Sequence, residues 1–140
     1  MTRFEENLVA AGAYSAVGIA AMAVGFIVVD ILTPGHLRTQ VWIDRNKNAA
    51  LLVASKLGGV AIIIAASITA AEGGLVKGLM YTAAYSALGI VAMSLTYLLV
   101  TLVTPGKLGD FIMDPEPHPA VKVHAVMHLA VALIVAAAIL

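Results

Sequence analysis

The stretch YSAVGIAAMAVGFIVVDILTPG, residues 14–35, returns as YSALGIVAMSLTYLLVTLVTPG at residues 85–106, 71 positions on and without a gap. The register continues downstream: Ala49, Ala54, Val60, Ala61 and Ile63 fall on Ala120, Ala125, Val131, Ala132 and Ile134. Ala, Val and Ile coincide by chance in a sequence this apolar. Tyr-Ser and Thr-Pro-Gly in strict register do not. The chain reads as one membrane domain, residues 1–140, built from two tandem copies of a single unit, residues 8–71 and 79–140.

A helix needs about 20 apolar residues to cross the hydrocarbon core of a bilayer. Between Asn7 and Val29, and again between Gly78 and Gly106, the chain carries no charge. The runs 48–71 and 120–140 are broken only by Lys56 and, near the start of the last, by Lys122, His124 and His128. Spanning segments must satisfy their own backbone hydrogen bonds, so all four read as helices, over about 8–32, 48–71, 79–103 and 120–140. A cleavable leader is not expected at the first: the apolar run continues past the small-x-small site Ala21-Met22-Ala23, and the same helix recurs inside the chain.

Composition agrees. Of 140 residues, 61% are hydrophobic and 11% charged, the net charge is zero, and mean hydropathy is +1.00. Soluble domains carry roughly a quarter charged residues, and one this size could not hide so much apolar surface. Lys and Arg are scattered singly, which argues against a nucleic-acid partner. There is no cysteine, which excludes disulfides, thiolate metal sites and thiol catalysis.

Two spans per unit return the chain to its starting side, so the second copy enters the membrane in the same direction as the first, as in parallel-repeat architectures. The side holding both Thr-Pro-Gly loops carries Arg38, Arg45, Lys47, Lys107 and Lys122; the other carries Arg3 and Lys77. The positive-inside rule then puts both loops in the cytoplasm and both termini outside. Thr33-Pro34-Gly35 and Thr104-Pro105-Gly106 read as helix starts, Thr as N-cap and Pro as first helical residue. Each is followed by a short amphipathic segment lying in the interface, with Trp42 at headgroup level. The expected fold is an all-α membrane protein of four transmembrane helices, two parallel-topology repeats with a short interfacial segment after each Thr-Pro-Gly.

Thr-Pro-Gly-Lys-Leu-Gly at 104–109, Leu-Thr-Pro-Gly at 32–35 and Asn48-Ala49-Ala50 at the opening of the second span resemble the YjfL-type bacterial inner-membrane family, the domain of unknown function 350. The resemblance covers nearly the whole chain. It implies a small four-helix protein of the bacterial inner membrane and brings no cofactor or catalytic residue with it. Lys56 and the Pro117-His118-Pro119 string depart from the family pattern.

Ionisable groups inside spans cost roughly 2.5–3.5 kcal/mol at a helix centre on insertion scales, which makes them the natural candidates for function. Asp30 lies near the loop end of the first span, and Lys56 about two turns into the second from the same side. Snorkelling would bring the amine toward the carboxylate, as a fastening ion pair or as a proton or ion site. The second copy has Thr101 and Met127 at these positions, so the pair exists once. His124 and His128, four residues apart, share one helix face with the spacing of metal ligands, and His118 lies just upstream. The plainer reading is neutral imidazoles bonded to facing hydroxyls; the others are a metal site or a proton relay. His-Glu-x-x-His is absent, because Ala125 follows His124. Gly12, Ala16 and Ala20, and Ala50, Ala54 and Gly58, form small-residue ladders that allow helices to approach closely, within the chain or between chains.

No phosphate loop or nucleophile triad is present, and no enzyme activity or cofactor is expected. The first functional expectation is a structural or accessory subunit of a membrane complex, partnered by lipid and by copies of itself or other membrane subunits. The second is an oligomeric ion, proton or small-solute pathway using Asp30, Lys56, His124 and the hydroxyls of Ser15, Ser86, Ser94 and Thr101. The third is a metal-binding membrane protein.

Overall fold

The computed structural model describes residues 1–140 as six helices without strands. Four are long: α1 (Arg3–Leu32), α3 (Lys47–Thr69), α4 (Leu75–Val103) and α6 (Pro119–Ile139). Two are short: α2 (Leu37–Trp42) and α5 (Leu108–Ile112). Each long helix has the length and hydropathy to cross a membrane. Two of them outrun their apolar stretches. A reciprocal cap between Thr2 and Glu5 carries α1 back to Arg3, where the apolar run begins only at residue 8. Gly73 and Gly74, both at positive φ (82° and 86°), turn the chain so that α4 starts at Leu75 rather than 79.

The Thr-Pro-Gly motifs end helices; they do not start them. Thr33 and Thr104 are the C-caps of α1 and α4. Their hydroxyls donate to the carbonyls of Val29 (2.8 Å) and Val100 (2.7 Å), one turn back. Gly35 and Gly106 then take φ of 86° and 102°, turning the chain before another helix can begin. The new helices start two residues later, at Leu37 and Leu108, and Asp30 supplies the first of them with an acceptor: its Oδ1 takes the Leu37 amide at 3.0 Å.

α3 is the central helix and packs on every other; its most extensive contact is with α6. α1 is peripheral, and Gly25 is its only buried residue. Helices in lipid gain nothing from hiding apolar surface from one another, so close packing must hold them. Gly89 of α4 admits Ile63 of α3, and Gly59 admits Met93, whose Cε lies 2.6 Å from where a glycine-replacing Cβ would stand. The small-residue ladder expected on α1 points the other way. Gly12, Ala16 and Ala20 are exposed, and nothing lies within 4 Å of the Cβ position of Gly12. Ala54 is exposed too, while Ala50 and Gly58 are half-buried, with Gly58 near Leu129. It is Gly18 and Gly25 that meet the core from α1, against Ile64 and Val60.

The two loop segments meet at one end of the bundle. Buried Asn48 shares the two protons of Nδ2 among the carbonyls of Phe111 (3.2 Å), Asp114 (3.1 Å) and Glu116 (3.0 Å), and its Oδ1 accepts from the His118 amide at 3.0 Å. Asn46 caps α3 and donates to the Ile112 carbonyl at 2.7 Å. Trp42, 63% exposed, stands edge-on to Phe26. Asn48→Leu strips these partners from a buried segment and is expected to lower stability by about 2–3 kcal/mol. Thermal unfolding in detergent measures this, and an unchanged midpoint would contradict the role given to the amide.

Candidate functional site

Lys56 is the largest side chain buried to this degree, with 2% of its surface exposed. It arises two turns into α3 and points into the bundle, between the ends of α1 and α4. The Asp30–Lys56 ion pair does not form. Asp30 is committed to the amide of α2, and Lys56 Nζ instead donates to Thr33 Oγ1 at 3.2 Å. It also lies 3.8 Å from the centroid of the Tyr97 ring, over its face. In its ammonium form the group gains from the negative face of the ring, an attraction of about 2 kcal/mol where water is excluded. No carboxylate lies within ion-pairing distance of it.

Tyr97 organises the rest. The His128 ring stacks on it, centroids 5.9 Å apart and planes 22° apart, and the His124 ring meets it edge-on at 6.4 Å. The two imidazoles follow one another on α6 at 6.5 Å, and both are buried. Hydrogen-bond logic assigns the proton of His124. The single hydroxyl proton of Thr104 is spent on the Val100 carbonyl, so Thr104 Oγ1 can only accept from His124 Nε2, 3.2 Å away. Nε2 is therefore the protonated nitrogen, and Nδ1 carries a lone pair without a protein partner. Neither nitrogen of His128 has a protein partner. The same logic makes Thr33 an acceptor for Lys56, since its proton goes to Val29. The two Thr-Pro-Gly threonines thus do parallel work, one holding the amine and the other an imidazole.

Lys56, Ser94, Tyr97 and His128 line a cavity of about 20 Å³, walled otherwise by apolar side chains and Gly25. That is room for about one water molecule.

Of the expected site residues, the structure joins Lys56, His124 and His128 and separates the others. His118 caps α6, accepting the Ala120 amide at Nδ1, and stacks on Phe111 at 4.3 Å; the proline after it makes position 118 a helix start rather than a third position on the histidine face. No three His, Asp or Glu side chains converge within the chain, so neither Asp114 nor Glu116 joins His124 and His128, and a metal there would need its third ligand from a neighbouring subunit. Ser94 lines the cavity and donates to the Ile90 carbonyl; Thr101 donates to that of Tyr97; Ser15 faces outward. Tyr97 is the component that sequence reasoning passed over. Its only signal was a phenol inside an uncharged span, where a hydroxyl needs a polar neighbour. In the sequence Thr33 and Thr104 read only as N-caps of the Thr-Pro-Gly motifs.

Four apolar helices of spanning length around a buried polar cluster define a multi-pass membrane protein. The chain belongs to the family described as Domain of Unknown Function (DUF350), whose profile matches residues 3–139. It is similar to a UPF0719 transmembrane protein of Mycobacterium bovis and to one of Mycobacterium tuberculosis. Each is 38% identical over 139 residues, covering 99% of this chain and 91% of the relative. A UPF0719 transmembrane protein of Mycolicibacterium paratuberculosis is 35% identical over 126 residues, covering 90% of this chain and 83% of its own. No solved structure matches the chain.

Proposed function

We propose that this protein is a non-enzymatic proton pathway of the bacterial inner membrane, centred on Lys56, Tyr97, His124 and His128. One observation carries it: an amine buried to 2% exposure has no acidic partner and shares its cavity with an imidazole whose nitrogens are both free. A fastening role would call for a carboxylate. A metal role would call for a third ligand. Groups that exchange protons, gathered around space for one water, suit proton relay. A water in that cavity would link Lys56 Nζ to His128, and His124 extends the cluster toward the loop end, where its Nε2 meets Thr104. The nearly uninterrupted apolar spans favour an accessory subunit; the meeting of Lys56, His124 and His128 around Tyr97 favours the pathway.

Orientation follows the lysine and arginine asymmetry, with the α2 and α5 ends cytoplasmic and the termini outside. The 71-residue offset supports a duplicated unit whose halves have diverged at the site: Lys56 and His124 have Met127 and Val53 as their counterparts. Copies of the chain associate in this reading, with the outward face of α1 as their contact.

The test is proton entry into proteoliposomes under an imposed potassium diffusion potential. Wild-type vesicles should acidify faster than protein-free ones, and His128→Leu should cut the excess rate by about tenfold or more, the scale of losing a positioned proton carrier. Equal rates for wild-type and protein-free vesicles would return the accessory-subunit reading to first place.

A further inference from the structure

Eight of the hydroxyls in and flanking the spans donate to a backbone carbonyl three or four residues back, on Thr33, Ser55, Ser67, Thr69, Ser94, Thr96, Thr101 and Thr104. Thr82 and Ser86 do not. Both are buried, at 0% and 1% exposure, and neither oxygen has a partner in the protein. They lie four residues apart on one face of α4, toward the end of the bundle away from Lys56. The next residue of that face, Gly78, has the Tyr14 hydroxyl against it. Buried hydroxyls are rarely left unpaired, and an adjacent pair of them calls for a ligand.

The register between α3 and α4 shows where they stand. Lys56 meets Tyr97, Gly59 meets Met93, and Ile63 meets Gly89. Carried one turn further, this antiparallel pairing puts Ser67 beside Ser86. From the loop end outward the interface therefore runs polar, apolar, polar. Lys56 and Tyr97 come first, then Val60, Ile63, Ile90 and Met93, then the serines and Thr82. Lys56 and Ser67 are separated by about 16 Å of helix, at 1.5 Å per residue, which is far beyond hydrogen-bond reach.

We propose that Thr82 and Ser86 form a second, water-binding station on the termini side, separated from the lysine site by an apolar gate of Val60, Ile63, Ile90 and Met93. It rests on the proton-pathway reading and supplies the half of the route that the lysine cluster does not reach. Each hydroxyl can donate to water and accept from it, and wetting of the apolar layer connects the two stations. Hydrophobic constrictions gate in this way, by losing and regaining water.

The combined variant Thr82→Val and Ser86→Ala should lower proton flux about tenfold with the fold intact, while Ile63→Ser should raise it by a similar factor. Wild-type flux in the Thr82/Ser86 variant, alongside loss of flux in His128→Leu, would overturn the outer station and leave the inner site standing. Loss of neither would overturn both. A second measurement is independent of transport. The chain has no cysteine, so Ser86→Cys and Ile63→Cys each introduce a single thiol. Silver ions should titrate the thiol at position 86 about tenfold faster than the one at 63 in the folded protein, because water reaches the first, whereas the second lies in the apolar layer and outside the lysine cavity. Equal rates would overturn the proposal whatever the flux.

Discussion

Lys56→Met is expected to give a protein that is more stable than the wild type and moves no protons through the site. Burying an ammonium costs several kcal/mol after relaxation, and here no carboxylate offsets it. The Tyr97 face returns about 2 kcal/mol where water is excluded, and the bond to Thr33 about 1.5–3 kcal/mol. Methionine fills a similar volume without the desolvation term, and replacing buried charged groups with well-packed apolar ones is neutral or stabilising by about 1–4 kcal/mol. A gain toward the middle of that range should raise the unfolding midpoint in detergent by several degrees. A fall of the same size would mean that Lys56 is there to hold helices together, and the functional reading would lose its ground.

The second large effect concerns the α3–α4 contact, which sets the register joining the two polar stations. Gly89→Leu places a side chain where Ile63 already sits; even the first added carbon would overlap it. Overpacking of this kind costs about 1–3 kcal/mol or more, and backbone separation would break the close packing on which helix association in lipid depends. The expected result is loss of the monodisperse folded species on gel filtration. Gly12→Leu is the control, because its Cβ position is open. It should fold normally, and a shift in its oligomeric size alone would report on the outward face of α1. A well-folded Gly89→Leu protein would show that the α3–α4 register is not fixed by this contact.

The four spans were legible because length and hydropathy are enough to define a membrane helix, and the resemblance to the family led to the same architecture. What failed was the reading of direction around and beyond the helix axis. Asp30 and Lys56 sit at nearby depths, and depth is all that a hydropathy pattern records. The turn at Gly35 brings the Leu37 amide back under Asp30, and that local bond takes the carboxylate before Lys56 can. Thr-Pro predicts a helix start, a preference that holds for N-caps in general. Here the threonine hydroxyl satisfies its own helix instead, and the glycine after the proline sets the break. His118 was grouped with His124 and His128 by spacing, yet the proline after it marks the helix start that it caps. Tyr97 and Thr82 carry no charge and nothing in the sequence singles them out, and Ser86 reads only as one of several span hydroxyls. Their importance rests on which face of α4 turns inward, and that is decided by Gly89 and Gly78 meeting α3 and α1.

Proton flux through Lys56→Arg in proteoliposomes tests the central claim most directly. Arginine keeps a cation beside Tyr97 and Thr33 and does not release its proton in proteins. If Lys56 passes protons to and from its neighbours, the arginine protein should fold, as gel filtration would show, and acidify vesicles no faster than protein-free lipid. Wild-type flux from the folded arginine variant would mean that a fixed positive charge is all the position requires, and proton exchange at Lys56 would be ruled out.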